Sequence, residues 1–204
     1  MAKKSRISIF NFPVLIISVL IVCVLMLSNL NASADTNESD FSAYVDNDGN
    51  ISLPKDFRLT MVHLGSWFVP EGGASGFHDV YTEAETVKVY RQTGKFPDGA
   101  TLIKELRADH KADYTTGANV SAATQIKQWF VMIKDSKGRF KNNPVWGNGW
   151  GWALIKTDNP MINVATDFKT DCLGCHVPAK INDWVYIEGY PTLAKNKESL
   201  SLLK

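Results

Sequence analysis

Two cysteines three positions apart, followed at once by a histidine, carry the clearest chemistry in this chain: Cys172-Leu173-Gly174-Cys175-His176. C-x-x-C-H is the attachment signature of a c-type haem. Two thiols at this spacing can each bond one vinyl group of a porphyrin. The residue that follows is then held against one face of the ring, where an imidazole can ligate iron. Other uses of paired cysteines fit less well. A zinc site wants a second Cys or His pair at ligand spacing, whereas His63, His78 and His110 are scattered along the chain. A redox C-x-x-C has no need of His176 and belongs in a βαβ frame, for which the flanking residues give no sign. The reading is one covalently attached haem c, with Cys172 and Cys175 as attachment points and His176 as iron ligand.

The amino terminus agrees with that chemistry. Lys3, Lys4 and Arg6 precede an apolar stretch from Ile7 to about Leu27, and Ala32-Ser33-Ala34 follows. Positive, apolar and small segments in this order make a secretory signal, with cleavage after Ala34. The apolar part is long for a signal, so an uncleaved inner-membrane anchor is the alternative. Export places the protein in the periplasm, where haem c is attached. Cys23 lies in the removed segment, so the mature chain keeps only Cys172 and Cys175. Loss of three basic residues takes the formal charge from +1 to −2 (1 − 3). Such a balance gives no footing for nucleic acid or an anionic membrane surface. Six Trp and 11% aromatics suit a domain that lines a flat porphyrin with apolar faces.

The elements that must position the motif can be read in outline. Residues 35–50 form a polar leader, and Asp46-Asn47-Asp48-Gly49-Asn50 is a turn rather than a calcium loop, since Gly is missing at its sixth position. Met61 to Leu64 is a short apolar segment, Glu71 to Gly76 a Gly-rich loop, and Val80 and Tyr81 close a strand. Thr82-Glu83-Ala84-Glu85 has the form of a capping box, opening a helix that Gly94 stops. Phe96-Pro97-Asp98-Gly99 is a turn. Thr101 to Arg107 alternates, with Leu102, Lys104 and Leu106 on one face. An inward ammonium at Lys104 would be costly, and on an edge strand it would instead snorkel to water. Arg107 to Ser121 reads as a polar loop. Ile126 to Lys134 is a strand with Gln128, Phe130 and Met132 on one face, and Trp150 to Leu154 is another. Lys134, Lys137 and Arg139 read as a solvated basic turn. The fold class is α+β, mainly an antiparallel β-sheet with a few helices. One domain spans 51–195, before a C-terminal tail at 196–204.

Read in order, these residues resemble the cytochrome P-460 family, which includes the cytochromes c′-beta. The resemblance rests on His63-Leu64-Gly65-Ser66-Trp67, His78-Asp79-Val80-Tyr81, Thr93 to Gly99, Ile103-Lys104-Glu105-Leu106, Trp129 to Asp135, Gly149-Trp150-Gly151-Trp152 and the run Asp171 to Tyr190. It implies an antiparallel sheet with a few helices, commonly a homodimer. It also implies one haem held by Cys172 and Cys175, His176 as proximal ligand, and a distal iron position open to small nitrogen compounds such as hydroxylamine or nitric oxide. In the P-460 members proper a lysine bonds the porphyrin edge, and Lys104 matches it. That turns Lys104 inward, where a neutral amine could attack the ring. Hydroxylamine-oxidising members carry a distal carboxylate where this chain has Phe130, and Glu105 points to the other face of its strand. An apolar Phe130 resembles the gas-binding cytochromes c′-beta. A simple electron carrier, passing electrons to a redox partner protein, would need a sixth ligand: Met132 before Met61 or Met161, or else His63 or His78.

Overall fold

The alternating segments become neighbouring antiparallel strands of a single sheet. The computed structural model describes residues 41–194. The signal or anchor segment with Cys23, the first part of the leader, and residues 196–204 lie outside the described residues. In chain order the elements are α1 (Phe57–Thr60), β1 (Val62–Val69), β2 (Gly76–Thr82), α2 (Ala84–Thr93), β3 (Thr101–Tyr114), β4 (Gly117–Lys134), β5 (Trp146–Gly147), β6 (Trp150–Lys156), β7 (Asn159–Asn163), α3 (Phe168–Asp171) and α4 (Leu173–His176). Short 3-10 turns follow at Val177–Asn182, Ile187–Gly189 and Pro191–Leu193. The seven-stranded sheet has the order β1-β2-β3-β4-β6-β5, with β7 paired to β6, and all its pairings are antiparallel. It is the mainly antiparallel sheet with few short helices that the alternation predicted.

Period two decides which side each residue serves. Val80, Leu102, Met132, Trp150 and Trp152 pack in one cluster with Val87 of α2 and with Val185, Tyr190 and Leu193. Val131, Ile133, Ala153 and Ile155 pack on the opposite face with Ile51, Val145 and Trp146. Both faces of the central strands are therefore covered. Leu193 is buried, so the last 3-10 turn closes the core.

Four local expectations change. Phe41 is not part of a loose leader: its ring packs against Phe140 and Trp146, with the Arg139 guanidinium 3.9 Å from its centroid. The capping box does not form. Thr82 stays in β2, where its hydroxyl donates to the Thr101 carbonyl at 2.7 Å, and α2 starts one residue later. Glu83 takes over the junction, accepting from the Thr101 amide and the Thr86 hydroxyl. The helix ends as expected, at Gly94 with φ 74° and its N–H on the Tyr90 carbonyl. Arg107 to Ser121 is not a loop. Strands β3 and β4 run on past the core as a hairpin arm to the pair Tyr114↔Gly117, with Thr115 and Thr116 at the tip. The arm buries neither face fully, so its side chains carry no alternation to read.

Of the basic turn, Lys137 is exposed as expected, but Lys134 and Arg139 are paired with acids. Arg139 bonds Asp98 and Asp135, and Lys134 bonds Asp183.

Candidate functional site

One face of the sheet and the segment after β7 enclose a cavity of about 290 Å³. That lies near the lower bound of ligand pockets, roughly 300–1,000 Å³. Its floor is a grid set by register. Val80, Lys104 and Phe130 make one rung across β2, β3 and β4, and Leu102, Met132 and Trp152 make the next across β3, β4 and β6. The roof carries Cys172, Cys175 and His176, with Val185, Tyr186 and Tyr190 beside them.

The structure thus brings Lys104, Phe130, Cys172, Cys175 and His176 together on one cavity, although Lys104 lies 68 (172 − 104) and Phe130 42 (172 − 130) residues before Cys172. Both cysteines are free thiols. Burial pushes the Cys172 thiol up to about 11, which keeps it protonated. Among the described residues no three His, Cys, Asp or Glu side chains converge as they would on a metal ion. A zinc reading of the cysteines has no support from that geometry.

The protonation of His176 follows from its partner. Nδ1 lies 2.7 Å from the Trp184 carbonyl, which can only accept, so Nδ1 carries the hydrogen. Burial pulls the ring's pKa below the ordinary histidine value, and Lys104 adds to that, although the Trp184 bond opposes both. The neutral tautomer leaves Nε2 with its lone pair, the form in which histidine binds metal. The ring meets Trp152 edge-on at 4.8 Å, which fixes its plane. Trp184 was not foreseen: its contribution is a backbone carbonyl, which no residue type advertises. It sits in an unusual turn, since Asp183 and Trp184 both have positive φ, 58° and 67°. For residues other than glycine such conformations cost on the order of 1–3 kcal/mol each.

Lys104 faces inward. Its Nζ lies 4.2 Å from the centroid of the Phe130 ring, and no described carboxylate pairs with it. Burial lowers its pKa, which favours the free amine. Glu105 is on the other face, as its place in the alternation required. It is 2% exposed and accepts from Arg58 and, at 2.9 Å, from the Trp129 indole.

Of the residues that could supply a sixth ligand, Met132 and His78 line the cavity. Met161 is 77% exposed on β7. His63 bonds Ser66 and lies near Asp79, away from the cavity. His78 does line the cavity, but its Nε2–H donates to the Ala74 carbonyl at 2.7 Å and its Nδ1 is shielded without a partner. Its ring is stacked on Trp67, 5.0 Å away. One nitrogen is thus engaged by the backbone, while the other is buried from solvent. A β-bulge just before Gln128 holds one more contact that residue types do not advertise. Register passes from Leu106↔Gln128 to Arg107↔Ile126, and the extra residue, Lys127, turns its amine to the Ser75 carbonyl.

These residues fit a haem. Two unpaired thiols and an imidazole with a free Nε2 share one wall, and the rest of the cavity is mostly apolar. The family model described as Cytochrome P460 matches residues 54–187, a span that holds the sheet and the whole cavity wall except Tyr190. No curated protein matches the chain.

Proposed function

The chain belongs to the cytochrome P460 family, and from that premise we propose that it is an exported mono-haem c-type cytochrome whose open iron site takes small nitrogen compounds. Cys172 and Cys175 would hold the haem through thioether bonds, and His176 would ligate its iron through Nε2. When bound, haem would supply an iron centre that exchanges single electrons and can take up a small ligand.

The chain's own residues would shape which ligand is received. Phe130 and Lys104, register partners on the cavity floor, would face it. Phe130 gives an apolar surface that excludes water and holds no proton acceptor. Glu105 is turned away and fully engaged with Arg58 and Trp129. Asp171 reaches the rim, but its carboxylate accepts from the Thr166 and Asp167 amides. The geometry therefore supports best the binding of small neutral ligands such as nitric oxide, and the inward Phe130 is the observation that carries it.

Hydroxylamine oxidation is the second reading. It is favoured by Lys104, which faces the cavity and which the resemblance matches to the lysine that bonds the porphyrin in the P-460 members proper. The two readings share a periplasmic setting, a redox partner protein and assembly as a homodimer. An electron carrier with Met132 as sixth ligand is the third reading.

Two measurements on haem-loaded protein separate them. Titration of the ferrous form with nitric oxide is expected to show tight uptake. Steady-state assay with hydroxylamine and an electron acceptor is expected to show little turnover. A low-spin spectrum with no ligand uptake would leave only the electron carrier.

A further inference from the structure

A backbone atom aims His176, and the sheet holds that backbone in place. The Trp184 carbonyl reaches Nδ1 because Asp183 and Trp184 are both left-handed, at φ 58° and 67°. Aspartate tolerates this conformation; a bulky tryptophan does so rarely. Such a turn persists where its surroundings over-determine it. Here two side chains do so. Lys134, the last residue of β4, sets its ammonium 2.9 and 2.8 Å from the two Asp183 carboxylate oxygens. Trp150, the first residue of β6, donates its indole N–H to the Asp183 carbonyl at 3.0 Å. Lys134 and Trp150 are themselves register partners, with the ammonium 4.9 Å from the indole ring. One rung of the sheet thus grips Asp183 by its side chain and its backbone together.

From this geometry we propose that Lys134, acting through Asp183, is a positioning residue for His176. It fixes the turn that presents the Trp184 carbonyl, and so sets the strength of the Nδ1–H···O bond behind the ligating nitrogen. A hydrogen bond at the rear nitrogen orients a ligating imidazole and raises its basicity. Ligand basicity in turn bears on the iron's reduction potential. Lys134 touches neither the ring nor the cavity. The Lys134–Asp183 pair is shielded on the lysine side, at 12% exposure, so it is less screened than a surface ion pair. The proposal rests on the reading of His176 as iron ligand.

The test uses haem-loaded protein with three substitutions: Lys134→Met, Asp183→Ala and Asp183→Asn. Asn tolerates the left-handed region and keeps an acceptor for Lys134, so it serves as the conservative variant. The readouts are the iron–imidazole stretching band of the ferrous form and the midpoint potential. In Lys134→Met and in Asp183→Ala the band is expected to move to lower frequency and the potential to rise, as the imidazole becomes a weaker donor. Asp183→Asn is expected to stay near wild type in both. A band present in wild type and unmoved in Lys134→Met and Asp183→Ala would overturn the bracing while leaving His176 as ligand. A wild-type protein with no such band would overturn the ligand reading, and this proposal with it.

Discussion

Lys104 and Phe130 face one another across β3 and β4, with the Lys104 Nζ 4.2 Å from the centroid of the Phe130 ring. The amine thus has an aromatic face for company and no carboxylate. Burial keeps its pKa down, which costs stability as long as the amine stays protonated. Lys104→Met should therefore stabilise the haem-free protein, by about 1–3 kcal/mol on the scale of burying an unpaired polar group. Thermal melts of the two apo-proteins check this. In the loaded wild type, intact mass and a red-shifted, broadened Soret band would report a porphyrin bond at Lys104. The variant is expected to lack both.

Phe130→Glu puts a carboxylate beside Lys104. The two would pair, which raises the lysine pKa and removes the free amine. The variant is expected to gain hydroxylamine turnover through its new proton acceptor, yet to show less of any Lys104–porphyrin bond. Assay and mass spectrometry on one preparation test both halves.

Attachment should depend on both thiols unequally to their burial but equally in outcome. Cys172→Ala and Cys175→Ala are each expected to leave haem held by one thioether, and the double variant to release it under denaturation. His176→Ala should keep covalent haem and lose the axial imidazole. Haem retention on a denaturing gel and the ferrous spectrum check these outcomes.

Glu105 is a structural carboxylate. Glu105→Gln keeps the shape but weakens charge-assisted bonds to Arg58 and Trp129, each worth about 1.5–3 kcal/mol. The expected result is a clear loss of thermal stability with nitric oxide uptake per haem unchanged. A large fall in uptake by folded, loaded protein would contradict the placement of Glu105 away from the cavity.

His78 makes stability depend on pH. Burial is the main cause of its lowered pKa; Lys104 on β3 and Lys127 on β4 push the same way, against the Ala74 bond and Asp79 on its own strand. The unfolded chain takes up the proton first as pH falls. The contribution of neutral His78 is thus complete above about 6.5, the unperturbed value, and is lost below it as pH drops towards the folded pKa. His78→Phe keeps a ring on Trp67 but cannot titrate. Its melting temperature should fall less steeply between neutral and acid pH than that of wild type.

The sequence by itself carried the C-x-x-C-H pattern on which the haem reading rests, because that pattern is contiguous and needs no fold to be seen. Alternation also placed Leu102, Lys104 and Leu106 on one face of β3, but whether that face turned inward was left open by the residues and decided by the sheet, where β3 is a central strand and not an edge. The family followed from ordered motifs along most of the domain. Tertiary structure alone decided the rest. The arm from Arg107 to Ser121 has no buried face, so pairing with its own partner strand, invisible in composition, makes it β. Thr82 lost its cap role because β3 offered its hydroxyl a nearer acceptor. The aim of His176 came from a carbonyl at Trp184, held by Lys134 and Trp150 from distant strands. Such contacts are set by register and by left-handed turns, which depend on where separate segments meet rather than on which residues they contain.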